Sequence, residues 1–121
     1  MNKVSVIIVS YNVRSYLAHA IDAISRSDHE NIEIIVVDNN SYDGTCEYLG
    51  KNFPFINVIE NDENVGFGRA VNQGVKIASG DYYLILNPDT IIEEDTVSLL
   101  VKHLADNKEV GMVGPKILNA D

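Results

Sequence analysis

The residues of this chain that are suited to binding or catalysis come directly after its apolar segments. The first segment, VSVIIVS, ends in Ser10 and is followed by Tyr11, and the second, IEIIVVD, opens into the polar sequence at 38–41. The fourth, YYLILN, stops at the Asn-Pro-Asp of 87–89. In an open parallel sheet, ligands bind outside the carboxyl ends of the strands. We therefore expect these segment ends to build one polar, acidic site.

Asp38 and Tyr11 have the chemistry to bind a pyrimidine base. A carboxylate accepts the imide N–H of uracil or thymine, which adenine lacks, and a neighbouring tyrosine ring offers a flat surface for stacking. Each residue also has a purely structural interpretation. Asp38 is typical of a residue that caps the backbone of a turn, here NNSYDGT, and Tyr11 is typical of a half-buried aromatic side chain.

Pro88 explains why the fourth apolar segment stops where it does. Proline cannot donate to a sheet ladder and restricts Asn87 to extended geometry, so Asp89 is presented just beyond a strand. Such a carboxylate suits Mg²⁺ or Mn²⁺, which combine carboxylate ligands with substrate phosphate and water. The ion would let a chain of net charge −9 bind a diphosphate. The alternative is that 87–89 forms a turn and caps the next helix.

The composition indicates one ordinary globular domain, or part of one. The chain has 121 residues, of which 45% are hydrophobic and 22% charged. Its negative charge argues against nucleic acid as a partner, because such binding depends on Lys and Arg contacts to phosphate. No apolar stretch approaches the ~20 residues of a membrane span. Cys46 is the only cysteine, so we expect an inert, buried thiol in a cytoplasmic protein without an internal disulfide.

Apolar, β-rich segments alternate with helical patterns, which predicts an α/β fold with a mostly parallel sheet and helices on both faces. The second and fourth segments are nearly continuous apolar runs, so we expect their strands at the centre of the sheet. Asn12 is suited to N-cap the first helix. The predicted strands are 4–10, 32–38, 55–60, 82–87 and 110–114. The first predicted helix runs from about 13 to 26, and a short second one follows 43–45 and carries Cys46 and Leu49. The third carries Ala70, Val71, Val75 and Ala78 and ends near Gly80, and the fourth uses Val97, Leu100, Val101 and Leu104.

The same alternation occurs in dinucleotide-binding and regulatory domains, but their motifs do not fit this chain. A dinucleotide fingerprint needs a glycine-rich turn directly after the first strand, and SYNVRSY contains no glycine. Gly66 and Gly68 follow the third strand instead, and no G-K-S/T sequence marks a P-loop. A receiver-type domain would need acidic residues after the first strand, where this chain has none.

Four sequence blocks, in order, resemble the nucleotide-sugar glycosyltransferases of family two: VSVIIVSYN, IEIIVVDNNSYDGT, NVGFGRAVNQGVKIASGDYYLILNPDT and VGMVGPKI. The resemblance covers the whole chain, and four ordered blocks are far more specific than any single one. It implies the GT-A fold, which is a Rossmann-like α/β sheet. Within the family, the NPD sequence is most similar to bacterial rhamnosyltransferases of surface polysaccharide synthesis.

The resemblance implies roles for residues at the first three strand ends. Tyr11 and Asp38 would hold the pyrimidine base of the donor, with Ser10 and Asn40 close to the nucleotide. The family's turn and helix near the nucleotide and diphosphate correspond here to Asn64, Gly66, Arg69 and Asn72. A salt bridge from Arg69 to a strand-end carboxylate is an equal alternative to a contact with base or phosphate.

At the fourth strand end, Asn87 and Asp89 match the family's D-x-D positions. The last Asp of that motif binds the divalent ion, Mg²⁺ or Mn²⁺, and the first lies near ribose and metal. Asn87 replaces the first Asp and removes one negative charge, which leaves strict metal dependence open.

The family's reaction is an inverting transfer, in which a carboxylate takes the proton of the attacking acceptor hydroxyl. That base lies beyond the metal motif in the family, and the acids at 93–95 are better explained as complements to a helix start, so we assign no base. We expect residues 1–121 to be the donor-binding part of a glycosyltransferase domain whose acceptor-binding half is absent. The expected partners are a dTDP- or UDP-linked sugar and a saccharide or lipid-linked acceptor. The full-length protein would act in the cytoplasm or at the inner face of the membrane.

The alternative function is a non-catalytic α/β nucleotide-binding or regulatory module that keeps the fold without turnover. Fold alone does not separate this module from an enzyme.

Overall fold

The computed structural model describes residues 2–116, in which four strands alternate with four helices. Strands and helices begin and end within one or two residues of most of the predicted bounds. Among these residues, no helix is long and apolar enough to cross a membrane. The elements are β1 (Val4–Ser10), α1 (Arg14–Ser25), β2 (Ile32–Asp38), α2 (Thr45–Asn52), β3 (Asn57–Glu60), α3 (Phe67–Ile77), β4 (Tyr82–Leu86) and α4 (Thr96–Asp106).

The four strands form one parallel sheet in the order β3-β2-β1-β4. β1 and β2 pair along their whole length, so Ser10 lies opposite Asp38, and Asp38 in turn lies opposite Glu60 of β3. On the other side of β1, Leu86 lies opposite Ile8. The register therefore brings the last residues of all four strands to one edge of the sheet, which we call the carboxyl edge.

The two faces of the sheet are covered by different helices. Because side chains alternate along a strand, β1 sends Val4, Val6 and Ile8 to one face and Ile7 to the other. α1, α2 and α4 pack on the first face, and α3 packs on the second. This arrangement is expected when the right-handed connections from β1 to β2 and β3 run one way across the sheet and the connection from β3 to β4 runs back the other way. It confirms the α/β fold with helices on both faces.

α3 packs closely on the sheet because a glycine faces β1. A Cβ atom added to Gly74 would stand 2.7 Å from Cγ2 of Ile7 and 3.5 Å from Cγ2 of Val37. Gly74 is buried together with Ala70, one turn earlier on the same side of the helix. Two small residues thus set how near α3, and the turn that precedes it, come to the ends of β1 and β2.

The prediction that the fourth strand is central was wrong for the described sheet. β4 is an edge strand, and β1 takes the central place beside β2. Tyr83 and Ile85 remain 51% and 42% exposed because α3 packs against β1 and β2 and leaves that face of β4 uncovered. An apolar run shows that a segment can be buried, but it does not show how many neighbours the segment has.

The predicted strand at 110–114 was also wrong. Residues 110–116 have no regular secondary structure, and Met112 is 88% exposed. Two of the five residues in VGMVG are glycines, which weaken a strand by their conformational freedom, and no neighbouring strand pairs with them. Ile117, the last residue of the VGMVGPKI block, lies outside the described part of the chain.

Candidate functional site

The carboxyl edge collects the site residues that the sequence predicted on both sides of β1. Ser10 and Asp38 are directly paired and buried, whereas Asn87 and Asp89 follow β4 on the opposite side and are exposed. The strand order reverses beside β1, because β2 and β3 follow on one side of it and β4 returns to the other side. Such a switch point is where open α/β sheets bind ligands.

Asp38 holds the turn that follows β2. Its Oδ1 accepts hydrogen bonds from Ser10 Oγ at 2.8 Å and Ser41 Oγ at 2.6 Å, and its Oδ2 accepts one from Ser41 N at 2.8 Å. The capping interpretation of Asp38 is therefore correct. Oδ2 keeps acceptor capacity beyond this single bond. The Asp38 side chain is 1% exposed. A hydrogen bond from a pyrimidine base to Oδ2 stays a prediction.

The turn after β1 is tied to the turn after β2 by reciprocal hydrogen bonds. Asn12 N donates to Ser41 Oγ at 2.9 Å, and Tyr42 N donates to Asn12 Oδ1 at 2.8 Å. The prediction that Asn12 N-caps α1 was wrong, because its side chain is engaged 30 residues away. The helix start is instead held by Asp43, whose Oδ2 accepts from Arg14 N at 3.1 Å.

Tyr11 is accompanied by a second ring that the sequence analysis did not consider. Tyr11 is 46% exposed, and Tyr42 packs against it edge-on, with ring centres 6.3 Å apart and planes at 83°. Tyr42 itself is 84% exposed. Two aromatic surfaces therefore stand at right angles beside the Asp38 turn. The signal in the sequence was weak, since Tyr42 lies in a turn without any apolar periodicity.

Asn40 and the residues between β3 and α3 surround the same edge from the side of β2. Asn40 is exposed and adopts a left-handed backbone with φ of 64°, which asparagine tolerates. Gly66 has φ of 88°, a conformation that favours glycine, and its N–H donates to Asn64 Oδ1 at 2.9 Å. Arg69 and Asn72 are exposed on α3. Within residues 2–116 Arg69 forms no ion pair, so the alternative of a salt bridge is not realised.

Asn87 and Asp89 lie in a turn, as the structural alternative predicted. Thr90 N donates to Asn87 O at 3.1 Å. The helix-capping part of that alternative is wrong, because α4 begins only at Thr96. In the described chain, no three His, Cys, Asp or Glu residues cluster closely enough to hold an ion by themselves. The donor set therefore fits an ion that takes Asp89 from the protein and its other ligands from phosphate and water.

Three amide side chains behind the site were also missed: Asn39, Asn61 and Gln73. Asn39 directly follows Asp38 and is 3% exposed. A signal for Gln73 was present, because it lies three residues after Ala70 and so falls on the sheet-facing side of α3. A polar residue at such a position needs a buried partner.

Cys46 lies behind the site as a protonated thiol. Burial raises its pKa to about 12, and the nearby carboxylates of Asp38 and Glu60 add to the shift because they disfavour a thiolate. The thiol is nucleophilic only as a thiolate. This agrees with the expectation of an inert cysteine, but the residue is half-buried rather than fully buried as expected.

We expect Cys46 in the folded protein to react very slowly with iodoacetamide at pH 8 to 9 and to react faster after Glu60→Gln, which removes one repelling charge. The matched control is Glu63→Gln, which removes an exposed carboxylate from the following turn. The linked stability follows from the raised pKa. The contribution of the protonated thiol is complete below the ordinary pKa of 9.0 and is lost as the pH rises toward 12. Equal alkylation rates in the Glu60→Gln variant and the parent would contradict this electrostatic role of Glu60.

Comparison with known proteins decides the family. Residues 5–118 match the profile of Glycosyl transferase family 2. The chain belongs to this family. It is 30% identical over 121 residues to a poly-beta-1,6-N-acetyl-D-glucosamine synthase of Staphylococcus aureus, and the match covers 96% of this chain but 29% of the relative.

Two solved structures resemble the fold closely. A mannosyltransferase from Pyrobaculum calidifontis, in complex with GDP-Man and Mn²⁺, superposes with a TM-score of 0.78 at 29% identity over 87% of this chain and 33% of its own. S. aureus TarS 1-349, in complex with UDP-GlcNAc, superposes with a TM-score of 0.79 at 26% identity over 88% of this chain and 32% of its own.

The comparisons confirm the family-two and GT-A predictions and leave the finer ones as predictions. The chain spans about a third of the length of these relatives. No rhamnosyltransferase is among the family-two relatives described above, so rhamnosyl specificity rests on the sequence resemblance alone. The assignments of individual residues to base, diphosphate and metal likewise stay predictions.

Proposed function

We propose that this chain is the donor-binding part of a glycosyltransferase that transfers a sugar from a dTDP- or UDP-linked donor with inversion. One observation carries the proposal. The carboxyl edge of a family-two sheet presents Asp38 on one side of β1 and Asp89 on the other. The first carboxylate suits a pyrimidine base, and the second suits the ion that accompanies a diphosphate.

The base lies against the turns that follow β1 and β2. Asp38 Oδ2 accepts the imide N–H of uracil or thymine, and the exposed ring of Tyr11 stacks on the base. Ser10 keeps the Asp38 carboxylate oriented by its 2.8 Å hydrogen bond. Asn40, which is exposed two residues after Asp38, contacts the nucleotide from the turn.

The diphosphate lies toward the start of α3 and the end of β4. The N–H groups of the first turn of α3 follow Gly66, which gives the helix no side-chain cap, so these donors are available to an anion. Arg69 is exposed one turn along and bears a positive charge free of ion pairs within the described chain. Asn64 and Asn72 add neutral donors beside it.

A divalent cation, Mg²⁺ or Mn²⁺, is held at Asp89, with Asn87 near the ribose. When bound, the ion supplies stabilisation of the charge on the leaving diphosphate. The Mn²⁺ and GDP-Man of the mannosyltransferase structure and the UDP-GlcNAc of the TarS structure support a nucleotide and ion at this edge. In this proposal, Asp38 determines the preference for a pyrimidine base over a purine base.

The acceptor is a saccharide or lipid-linked saccharide of surface polysaccharide synthesis, and dTDP-rhamnose is the donor that the NPD sequence favours.

The catalytic base belongs to a part of the full-length protein that binds the acceptor. Glu93, Glu94 and Asp95 stay unassigned, because they precede α4, where acids complement the helix start. The full-length protein is placed in the cytoplasm or at the inner face of the membrane. A non-catalytic module would bind the same donor and transfer nothing.

The decisive experiment is calorimetric titration of dTDP, UDP, GDP and NAD, each with and without Mn²⁺. We expect dTDP or UDP to bind at least tenfold more tightly than GDP, and Mn²⁺ to strengthen the binding about tenfold, which is ~1.4 kcal/mol. Asp89→Ala removes the Mn²⁺ effect because it removes the one protein carboxylate at the ion. Asp22→Ala, an exposed carboxylate on α1, is the matched control and leaves the effect intact.

Tighter binding of NAD or GDP than of either pyrimidine nucleotide would reject the pyrimidine site. A Mn²⁺ effect that survives Asp89→Ala would reject the metal assignment while leaving the base assignment standing.

A further inference from the structure

A partly buried chain of amide side chains connects β2, β3 and α3 behind the carboxyl edge. Asn61 and Gln73 form a reciprocal pair, in which Gln73 Nε2 donates to Asn61 Oδ1 at 2.9 Å and Asn61 Nδ2 donates to Gln73 Oε1 at 2.8 Å. Asn61 Nδ2 also donates to Asn39 Oδ1 at 3.1 Å. We call these three residues, Asn39, Asn61 and Gln73, the amide network.

The network reaches the turn that begins α3. Asn39 Nδ2 donates to Gly66 O at 3.3 Å, and Asn39 Oδ1 accepts from Val65 N at 3.4 Å. Gly66 O also accepts from Ala70 N at 3.3 Å, which closes the first turn of the helix. The Asn39 side chain therefore hydrogen-bonds to the backbone on both sides of the Val65-Gly66 peptide, just before α3 begins.

The other end of the network is fixed to the sheet. Asn39 N donates to Ser10 O, and Asn61 N donates to Asp38 O, each at 2.9 Å. These bonds continue the strand ladders one residue past β2 and β3. The three amides thus connect the start of α3 to Ser10 and Asp38, the two buried residues of the predicted base site.

We propose that Asn39, Asn61 and Gln73 are positioning residues that hold the first turn of α3 against the diphosphate while Asp38 and Tyr11 hold the base. This inference rests on the proposed function. None of the three contacts the nucleotide. The network sets the distance between the base-binding turn and the N–H groups that begin α3, and small displacements of such groups weaken the interactions they make.

The chemistry of the network makes it a rigid link. Every donor and acceptor that joins the three amides is paired, and Asn39 is almost fully buried. Within residues 2–116, no buried side-chain polar atom lacks a partner. Removing Gln73 leaves the Asn61 amide half satisfied, so the link loosens at α3 while the sheet side stays bonded.

The first arm of the test is amide hydrogen exchange of Gln73→Ala and Asn61→Ala, read at Val65, Gly66 and Ala70. We expect these amides to exchange about tenfold faster than in the parent, with β1 amides unchanged, because local opening of the turn becomes easier. Gln73 is half-buried, so Gln73→Ala should disturb the fold little. Asn61→Ala removes the other partner of the same hydrogen-bonded pair, on the side of the sheet. Asn52→Ala is the matched control, since Asn52 Nδ2 also donates to a backbone carbonyl, Tyr48 O, but lies on the exposed side of α2.

The second arm compares UDP with uridine, which has the base without the diphosphate. Gln73→Ala is expected to weaken UDP about tenfold, or ~1.4 kcal/mol, and to leave uridine within about twofold. The Asn61→Ala/Gln73→Ala double variant should lose no more than either single variant, because the two residues act as one unit.

Unchanged exchange at Val65 and Gly66 would overturn the inference, and so would faster exchange with an unaltered ratio of UDP to uridine affinity. A parent protein that binds neither UDP nor dTDP contradicts the proposed function itself, and the positioning role falls with it. The two failures are distinct, because one is seen in the variants and the other already in the parent.

Discussion

Replacing Asp38 with alanine is expected to lower the free energy of unfolding by roughly 2–4 kcal/mol and to abolish binding of a pyrimidine nucleotide. The Asp38 carboxylate is buried and accepts from Ser10 Oγ, Ser41 Oγ and Ser41 N. Alanine leaves these donors without an acceptor, at about 1–3 kcal/mol for a fully buried group, and the half-buried Ser41 recovers part of this cost from water. Urea denaturation gives the first quantity and calorimetry the second.

Asp38→Asn separates the two roles of the residue. The amide still accepts from Ser41 N, and the serine hydroxyls can rotate to accept from its NH₂, so most of the stability is retained. The charge is lost, however, and a hydrogen bond to a neutral acceptor is about half as strong as one to a carboxylate. We expect a folded protein with weakened UDP binding.

Asp43→Ala is the matched control for Asp38. Asp43 also holds the turn, through hydrogen bonds from Arg14 N and Thr45 N, yet it has no predicted contact with the base. It should lower stability and leave UDP affinity unchanged at a temperature where the variant is folded. Full UDP affinity in folded Asp38→Asn would show that Asp38 serves the turn alone.

Gly74→Ala is expected to destabilise the protein by about 1–3 kcal/mol, although alanine favours a helix over glycine by about 1 kcal/mol. The new Cβ would lie 2.7 Å from Cγ2 of Ile7, so α3 must move away from the sheet. The movement also carries the start of α3 away from β1, which should weaken UDP more than uridine. Chemical denaturation and the same pair of titrations measure both effects.

Gly68→Ala on the same helix is the control, because a Cβ there meets no atom within 4 Å. It should raise stability by up to about 1 kcal/mol. Combining Gly74→Ala with Ile7→Ala should cost less than the sum of the single changes, since the new methyl group occupies space that Ile7 vacates. Additive costs, or a stabilised Gly74→Ala variant, would contradict close packing as the cause.

The sequence by itself determined most of the elements and the edge of the sheet at which the polar side chains gather. β1 and β2 could be predicted because Val and Ile dominate both segments and polar residues end them. The helices could be predicted from apolar residues at helical spacing. Both signals are local, so they do not depend on the rest of the fold. The rule that ligands bind at the carboxyl ends of parallel strands then brought Ser10, Asp38 and Asp89 to one edge.

Other features were decided by the tertiary structure. β4 became an edge strand, and 110–114 formed no strand, because a strand needs a neighbour and the pattern of one segment does not reveal it. Asn12 was expected to cap the helix beside it, but its side chain accepts from Tyr42 N instead.

The amide network shows the same limit inside the site. Asn39, Asn61 and Gln73 come from three elements, and nothing in the local sequence pairs them. A buried polar side chain bonds to whichever partner the topology brings within 3 Å or so, so its role depends on contacts across the fold. Apolar periodicity predicted which segments are buried, and only the assembled sheet and α3 decided which polar groups meet.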